Sequence, residues 1–133
     1  MRKIEHLGIA VKDLEAATKT YEALFGKPAY QSEEVESEGV KTVFFKTGDN
    51  KIELLGATRE DSPIAKYIEK RGEGIHHIAF DVEDIEAEID RLKNQGFRLI
   101  NEKPKNGADN KRIAFLHPKS THGVLVELCE EIA

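Results

Sequence analysis

Apolar and polar residues alternate at the start of the chain: Leu7, Ile9 and Val11 fall on one side, His6, Gly8 and Ala10 on the other, which predicts a strand at about 3–11. Asp13 then caps a helix whose apolar positions Leu14, Ala17, Tyr21, Leu24 and Phe25 keep helical spacing until Gly26 stops it. Three more strands are expected at about 28–35, 40–47 and 51–56. Ser62-Pro63 opens a short helix with Ile64, Tyr67 and Ile68 on one side, since proline suits the first helical turn, and it ends in Arg71-Gly72-Glu73-Gly74. The order then begins again. A strand at about 75–82 leads to the cap Asp84, a helix with Ile85, Ile89 and Leu92 on one face, a stop at Gly96, and strands at about 97–101, 111–117 and 123–129.

The second half repeats the first at a shift of 71 residues, so that Ile4-Glu5-His6-Leu7-Gly8-Ile9 runs parallel to Ile75-His76-His77-Ile78-Ala79-Phe80. Two copies at so long a period indicate a fused pair of half-domain modules rather than a solenoid. At 133 residues the chain has room for one compact domain, not two independent ones. The fold class that follows is α+β: two tandem βαβββ modules, about 1–57 and about 74–133, joined by a linker helix at about 58–73. Together they are expected to form one curved, mostly antiparallel eight-stranded sheet around a metal-containing cleft.

Charge narrows the partners. Charged residues make up 34% of the chain, mixed in sign, with a net charge of −5 and no basic stripe of the kind a phosphate backbone requires. Nucleic acid is therefore not expected. No apolar run reaches the length of a membrane span, and the start Met1-Arg2-Lys3-Ile4-Glu5 lacks a signal peptide's apolar core, so a cytoplasmic protein with no membrane partner is expected. The single cysteine, Cys129, closes an apolar strand pattern and reads as a small buried hydrophobe.

The repeat also carries chemistry. His6 falls on His77, and Lys51-Ile52-Glu53-Leu54-Leu55 falls on Leu125-Val126-Glu127-Leu128-Cys129, with three extra residues absorbed in the longer turn from His117 to Gly123. Each histidine has small neighbours on its own strand face, which leaves room for a cavity. Each glutamate sits between apolar residues, where a carboxylate is costly to bury unless it is paired or bound to a cation. Taken singly, a strand histidine or glutamate reads as an ordinary surface or core residue. Recurrence of four metal-capable residues at equivalent positions favours one metal site made of His6, Glu53, His77 and Glu127. Two imidazoles with two carboxylates suit Zn²⁺, Co²⁺, Ni²⁺, Mn²⁺ or Fe²⁺ and leave two octahedral positions for substrate or water. His76 is set aside, because it faces away from His77 and aligns with Glu5. His117 and His122 flank a turn, and either a turn or a ligand-rim role is open to them.

These residues and their modules resemble the vicinal oxygen chelate superfamily, which includes glyoxalase I, extradiol dioxygenases and antibiotic-resistance proteins. Within it, the runs Gly74-Ile75-His76-His77-Ile78-Ala79-Phe80, Glu102-Lys103-Pro104-Lys105-Asn106-Gly107-Ala108 and Ile113-Ala114-Phe115-Leu116-His117-Pro118-Lys119-Ser120, with Gly123-Val124-Leu125-Val126-Glu127-Leu128, look like the methylmalonyl-CoA epimerase family. The resemblance implies interconversion of (2R)- and (2S)-methylmalonyl-CoA by α-proton abstraction and reprotonation through a metal-stabilised enediolate. It implies a divalent ion (Co, Zn, Ni, Mn or Mg) held by His6, Glu53, His77 and Glu127, with Glu127 and Glu53 as proton-transfer groups. It also implies an acyl-CoA substrate, contacted by Lys105, Lys111, Arg112 and Lys119, and a homodimer. Two departures stand out: Glu53 where some epimerases have glutamine, which is also the glyoxalase I pattern, and Thr42 where some have an acidic residue. The loop acids Glu36 and Glu38 read as solvated charges. Glyoxalase I and a non-catalytic small-molecule-binding protein of the same superfamily are the alternatives.

Overall fold

The computed structural model describes residues 1–132. Its elements run β1 (Lys3–Ala10), α1 (Leu14–Phe25), β2 (Gln31–Val35), β3 (Val40–Thr47), β4 (Asn50–Ala57), α2 (Pro63–Arg71), β5 (Gly74–Asp81), α3 (Ile85–Asn94), β6 (Lys105–Gly107), β7 (Lys111–Leu116) and β8 (Val126–Glu131). The strands follow the order β2-β3-β4-β1-β5-β8-β7-β6, so in each module the first strand neighbours the fourth. The architecture is α+β with an eight-stranded mixed sheet. β2-β3, β3-β4, β6-β7 and β7-β8 pair antiparallel, whereas β5 and β8 pair parallel. Two compact units are distinguishable, one formed by Leu7–His76 and the other by Met1–His6 with His77–Ala133.

In the Leu7–His76 unit the expected caps are made. Asp13 accepts a hydrogen bond from the Ala16 N–H at 3.0 Å, and Gly26 ends α1 in the left-handed region at φ 70°, which an L side chain resists. α1 sets Leu14, Ala17, Tyr21 and Phe25 against Val11, Val43, Phe45 and Leu54, and each fully buried large side chain there contributes about 1.5–3 kcal/mol. Side-chain alternation puts the intervening residues Thr42, Phe44, Glu53 and Leu55 on the face that α1 does not cover. Ser62 caps α2 by accepting from the Ala65 N–H at 3.1 Å, and Ile64 seats that helix on Ala10 and Leu55.

The other unit has the same plan. Asp84 accepts from the Ala87 N–H at 3.1 Å, and α3 packs Ile85, Ile89 and Leu92 onto Val82, Ala114, Leu116, Val126 and Leu128. The opposite face then carries Lys111, Ile113 and Phe115 on β7 and Glu127 and Cys129 on β8.

The strand expected at about 97–101 is not formed as such. Leu99 makes an isolated bridge to Leu116, and the paired segment comes later, at β6. Continuing the Leu99↔Leu116 register would set Glu102 opposite Ile113, yet Lys105 is there instead. The displaced stretch Asn101–Pro104 contains a proline that has no N–H for a ladder, and the Asn101 side chain accepts from the Phe115 N–H at 2.9 Å. β2 likewise starts at Gln31 rather than near 28, after Pro28, and β8 starts at Val126, after a 3-10 turn at Pro118–Thr121.

Candidate metal centre and active site

Three of the four expected ligands lie in one unit and converge. His6 on β1, His77 on β5 and Glu127 on β8 are each buried, with 4–6% of their surface exposed. Nε2 of His6 and Nε2 of His77 are 3.0 Å apart, with the rings edge to face. Oε1 of Glu127 lies 3.0 Å from Nε2 of His77 and 3.6 Å from Nε2 of His6. Strand pairing explains the meeting: the parallel β5-β8 register sets Glu127 opposite Ala79, two residues beyond His77, and the antiparallel β7-β8 register sets it opposite Phe115. The Phe115 ring meets the His77 ring edge to face at 5.9 Å between centroids, an apolar wall that restrains the imidazole.

Burial pushes the Glu127 carboxyl up, but the His6 and His77 rings beside it outweigh that effect, and the carboxyl titrates well below the usual carboxylate range. The donor set fits a divalent ion. With metal–ligand bonds of about 2.1 Å, neighbouring ligands of an octahedral ion lie about 3.0 Å apart; His77 Nε2 has that spacing to both partners, while His6 Nε2 and Glu127 Oε1 are 3.6 Å apart.

Glu53, the repeat counterpart of Glu127, belongs to the other unit. It is buried in the middle of β4, opposite Phe44, on the face that α1 leaves uncovered and that Thr42 shares. The loop acids Glu36 and Glu38 lie in an exposed 3-10 turn. His76 is half-buried against the Tyr67 ring of α2, its centroid 4.7 Å away. His117 accepts from the Lys119 N–H through Nδ1 at 3.1 Å and caps the 3-10 turn that His122 ends at φ 57°.

Two residues at this site had not been singled out. Glu5 is 4% exposed, and its Oε1 lies 3.0 Å from Nδ1 of His6. Cys129, read from the sequence as a structural hydrophobe, is indeed buried, but its thiol also donates to Oε2 of Glu127 at 3.0 Å. A Glu-His pair one residue apart, and a Glu and Cys two apart on one strand face, were the signals available in the sequence.

Of the four basic residues expected to meet an acyl-CoA, Lys105 and Lys119 are exposed and Lys111 lies on the Glu127 face of β7. Arg112 is placed differently. It alternates onto the α3 face and donates to Glu86 on that helix and to Glu130 on β8, the latter at 3.0 Å. A guanidinium committed to two carboxylates on the far face has no reach toward a ligand on the Glu127 face.

Residues 5–115 match the Glyoxalase/Bleomycin resistance protein/Dioxygenase superfamily. The ethylmalonyl-CoA/methylmalonyl-CoA epimerase of Cereibacter sphaeroides is 44% identical, over 95% of this chain and 96% of its own. Among solved structures, the methylmalonyl-CoA epimerase of Mycobacterium tuberculosis is 37% identical, covers 98% of this chain and 89% of its own, and superposes with a TM-score of 0.93. A variant of the Streptomyces coelicolor methylmalonyl-CoA epimerase in complex with 2-nitronate-propionyl-CoA is 39% identical, covers 100% of this chain and 96% of its own, and has a TM-score of 0.92. The chain belongs to the glyoxalase/bleomycin resistance protein/dioxygenase superfamily. Within it, the chain is an isomerase of the methylmalonyl-CoA epimerase type. Among the described residues, no helix is long and apolar enough to cross a membrane.

Proposed function

We propose that this chain epimerises (2R)- and (2S)-methylmalonyl-CoA in a reaction that depends on a divalent ion. The observation that supports this most directly is the convergence of two imidazole nitrogens and a carboxylate oxygen in a buried position, in a chain whose relatives are epimerases of acyl-CoA substrates. His6, His77 and Glu127 would hold the ion, and Glu53 is proposed as the fourth ligand from its equivalence to Glu127 in the repeat. When bound, such an ion supplies Lewis acidity that stabilises negative charge on a thioester oxygen, worth several kcal/mol.

The chain's own groups must then move a proton. The hydrogen that changes place in the substrate sits between a thioester carbonyl and a carboxylate. Glu127, whose Oε1 faces the point where the two imidazole nitrogens meet, is the proposed group to accept it at a carboxylate oxygen on one face. Return to the opposite face calls for a second group, and Glu53, buried on β4, is the proposed one, because Thr42 on the neighbouring strand offers only a hydroxyl. Lys105, Lys111 and Lys119 are the proposed contacts for the CoA phosphates, with Arg112 excluded by its two carboxylate partners.

The test is exchange of the substrate's α-hydrogen with D₂O. Protein loaded with Co²⁺ should exchange it, and Glu127→Gln should retain the fold by circular dichroism while losing about 10²–10⁴-fold of the rate. Near-normal exchange in Glu127→Gln would remove Glu127 from the reaction. Turnover of methylglyoxal-glutathione hemithioacetal without methylmalonyl-CoA epimerisation would replace this reading with a glyoxalase one, which the glutamate at position 53 keeps in play.

A further inference from the structure

His6 and His77 are repeat counterparts, yet their surroundings differ. Behind His77 stands the edge of Phe115. Behind His6 stands a carboxylate: Glu5 Oε1 is 3.0 Å from His6 Nδ1, with both side chains about 5% exposed or less. The residue at the corresponding place in the second module is His76, which packs on Tyr67 and offers no carboxylate. Sequence neighbours on a strand ordinarily point to opposite faces, so a Glu side chain that returns to its neighbour's ring, and is buried in doing so, calls for an energetic reason. A hydrogen bond to an ionised partner supplies one, being about twice as strong as a neutral bond.

With Glu5 ionised it has no proton to offer, and the bond can then be donated only by Nδ1–H of His6. That fixes which ring nitrogen carries the proton in the neutral imidazole. With hydrogen on Nδ1, Nε2 is left bare, and Nε2 is the atom that faces Nε2 of His77 and Oε1 of Glu127. Rotation of the ring would break the Glu5 bond, so the same contact also sets the ring's direction.

We propose that Glu5 is a positioning residue for the metal centre: it holds the His6 proton on Nδ1 and thereby keeps the Nε2 lone pair aimed at the point where His6, His77 and Glu127 meet. The metal-binding consequence rests on the function proposed above, while the tautomer assignment stands without it. Outer carboxylates of this kind raise the basicity of a ligating imidazole and fix its orientation, and their loss typically weakens metal binding about 10–100-fold.

The experiment uses the full-length, metal-free protein labelled with ¹⁵N-histidine, and two variants, Glu5→Ala and Glu5→Gln. Long-range ¹H–¹⁵N spectra of the wild type should show His6 protonated at Nδ1 and bare at Nε2. In Glu5→Ala the Nε2–H form should gain population. In Glu5→Gln, whose amide presents either an acceptor or a donor to Nδ1, the two tautomers should mix. Calorimetric titration with Co²⁺ alone should give a dissociation constant about 10–100-fold weaker for Glu5→Ala, with Glu5→Gln between it and the wild type. Circular dichroism reports whether each variant folds, and Glu5→Gln, which preserves side-chain shape, carries the test if Glu5→Ala does not. A wild-type His6 protonated at Nε2 would overturn the proposal, as would variants that keep the wild-type tautomer and bind Co²⁺ within twofold. Failure of the wild type to bind Co²⁺ would instead strike the metal-dependent function, and the tautomer spectra would still decide the role of Glu5.

Discussion

Replacing Gly56 with alanine should destabilise the fold even though the backbone there is ordinary strand. Gly56 is buried on β4, and a Cβ added to it would sit 2.9 Å from Cβ of Leu14, the first residue of α1, and 3.3 Å from its Cδ2. Carbon atoms in good contact lie about 3.5–4.0 Å apart. Cβ of Leu14 is fixed to the helix backbone and no rotamer change moves it, so α1 and β4 would have to separate by roughly 0.5–1 Å, loosening Leu14 against Val11, Val43, Phe45 and Leu54. Overpacking of this kind costs about 1–3 kcal/mol. Against it stands a gain of about 0.4–1 kcal/mol from restricting the unfolded chain, which leaves a net destabilisation of at most about 2.6 kcal/mol and about 1.3 kcal/mol at the midpoints. With an unfolding entropy of about 2.1 cal/mol/K per residue over 133 residues, the melting temperature should fall by about 5 °C, and by no more than about 9 °C. Gly107 supplies the control. A Cβ there would meet Cδ1 of Ile113 at 2.7 Å, but every atom in the way belongs to that one flexible side chain on β7, and Gly107 itself sits on a three-residue edge strand that can shift at little cost. Differential scanning calorimetry of Gly56→Ala and Gly107→Ala should therefore show a clear loss in the first and a much smaller change in the second. Equal melting temperatures for Gly56→Ala and the wild type would refute the claim that this close approach sets the seating of α1.

Two further outcomes follow from the site. The Glu127 carboxyl has its pKa lowered from 4.5 in the metal-free fold, so the unfolded chain takes up a proton first as the pH falls; the stability linked to this group is present above about pH 4.5 and is lost below it. The unfolding free energy from urea titrations between about pH 6 and about pH 3 should fall with a slope of up to about 1.4 kcal/mol per pH unit from this one group, and Glu127→Gln should remove that part of the slope; an unchanged slope would contradict the assignment. Cys129→Val should leave Oε2 of Glu127 without its buried donor at a cost of about 1–3 kcal/mol, whereas Cys129→Ser keeps a donor there and should lose less, as thermal unfolding would report; a valine variant as stable as the serine one would mean that the thiol bond contributes nothing.

Much of this was legible in the order of residue types. Asp13, Ser62 and Asp84 mark three helix starts because each has a side-chain oxygen that answers orphan N–H groups, and the structure uses all three in that way. Alternation along β1 and β5 separates His6 from Leu7 and His77 from His76, and the repeat then selects which histidines matter. Pairing register is less visible. The apolar run Phe97–Ile100 has strand composition, but Asn101 and Pro104 displace the ladder to Lys105, a choice made by the partner strand β7. Arg112 and Lys111 look interchangeable in sequence; only the β7-β8 register shows that one meets α3 and the other shares a face with Glu127. Glu5 was passed over because faces were assigned by strict alternation, whereas a flexible glutamate stem returns its carboxylate to the neighbouring ring.

The first six residues belong to the compact unit that His77–Ala133 complete. His6 is synthesised long before Glu127, so the trio comes into existence only when β8 has emerged and settled beside β5. A chain that stops before β8 therefore has no means of gathering these three side chains. Whatever chemistry the trio performs is withheld from every copy that lacks β8.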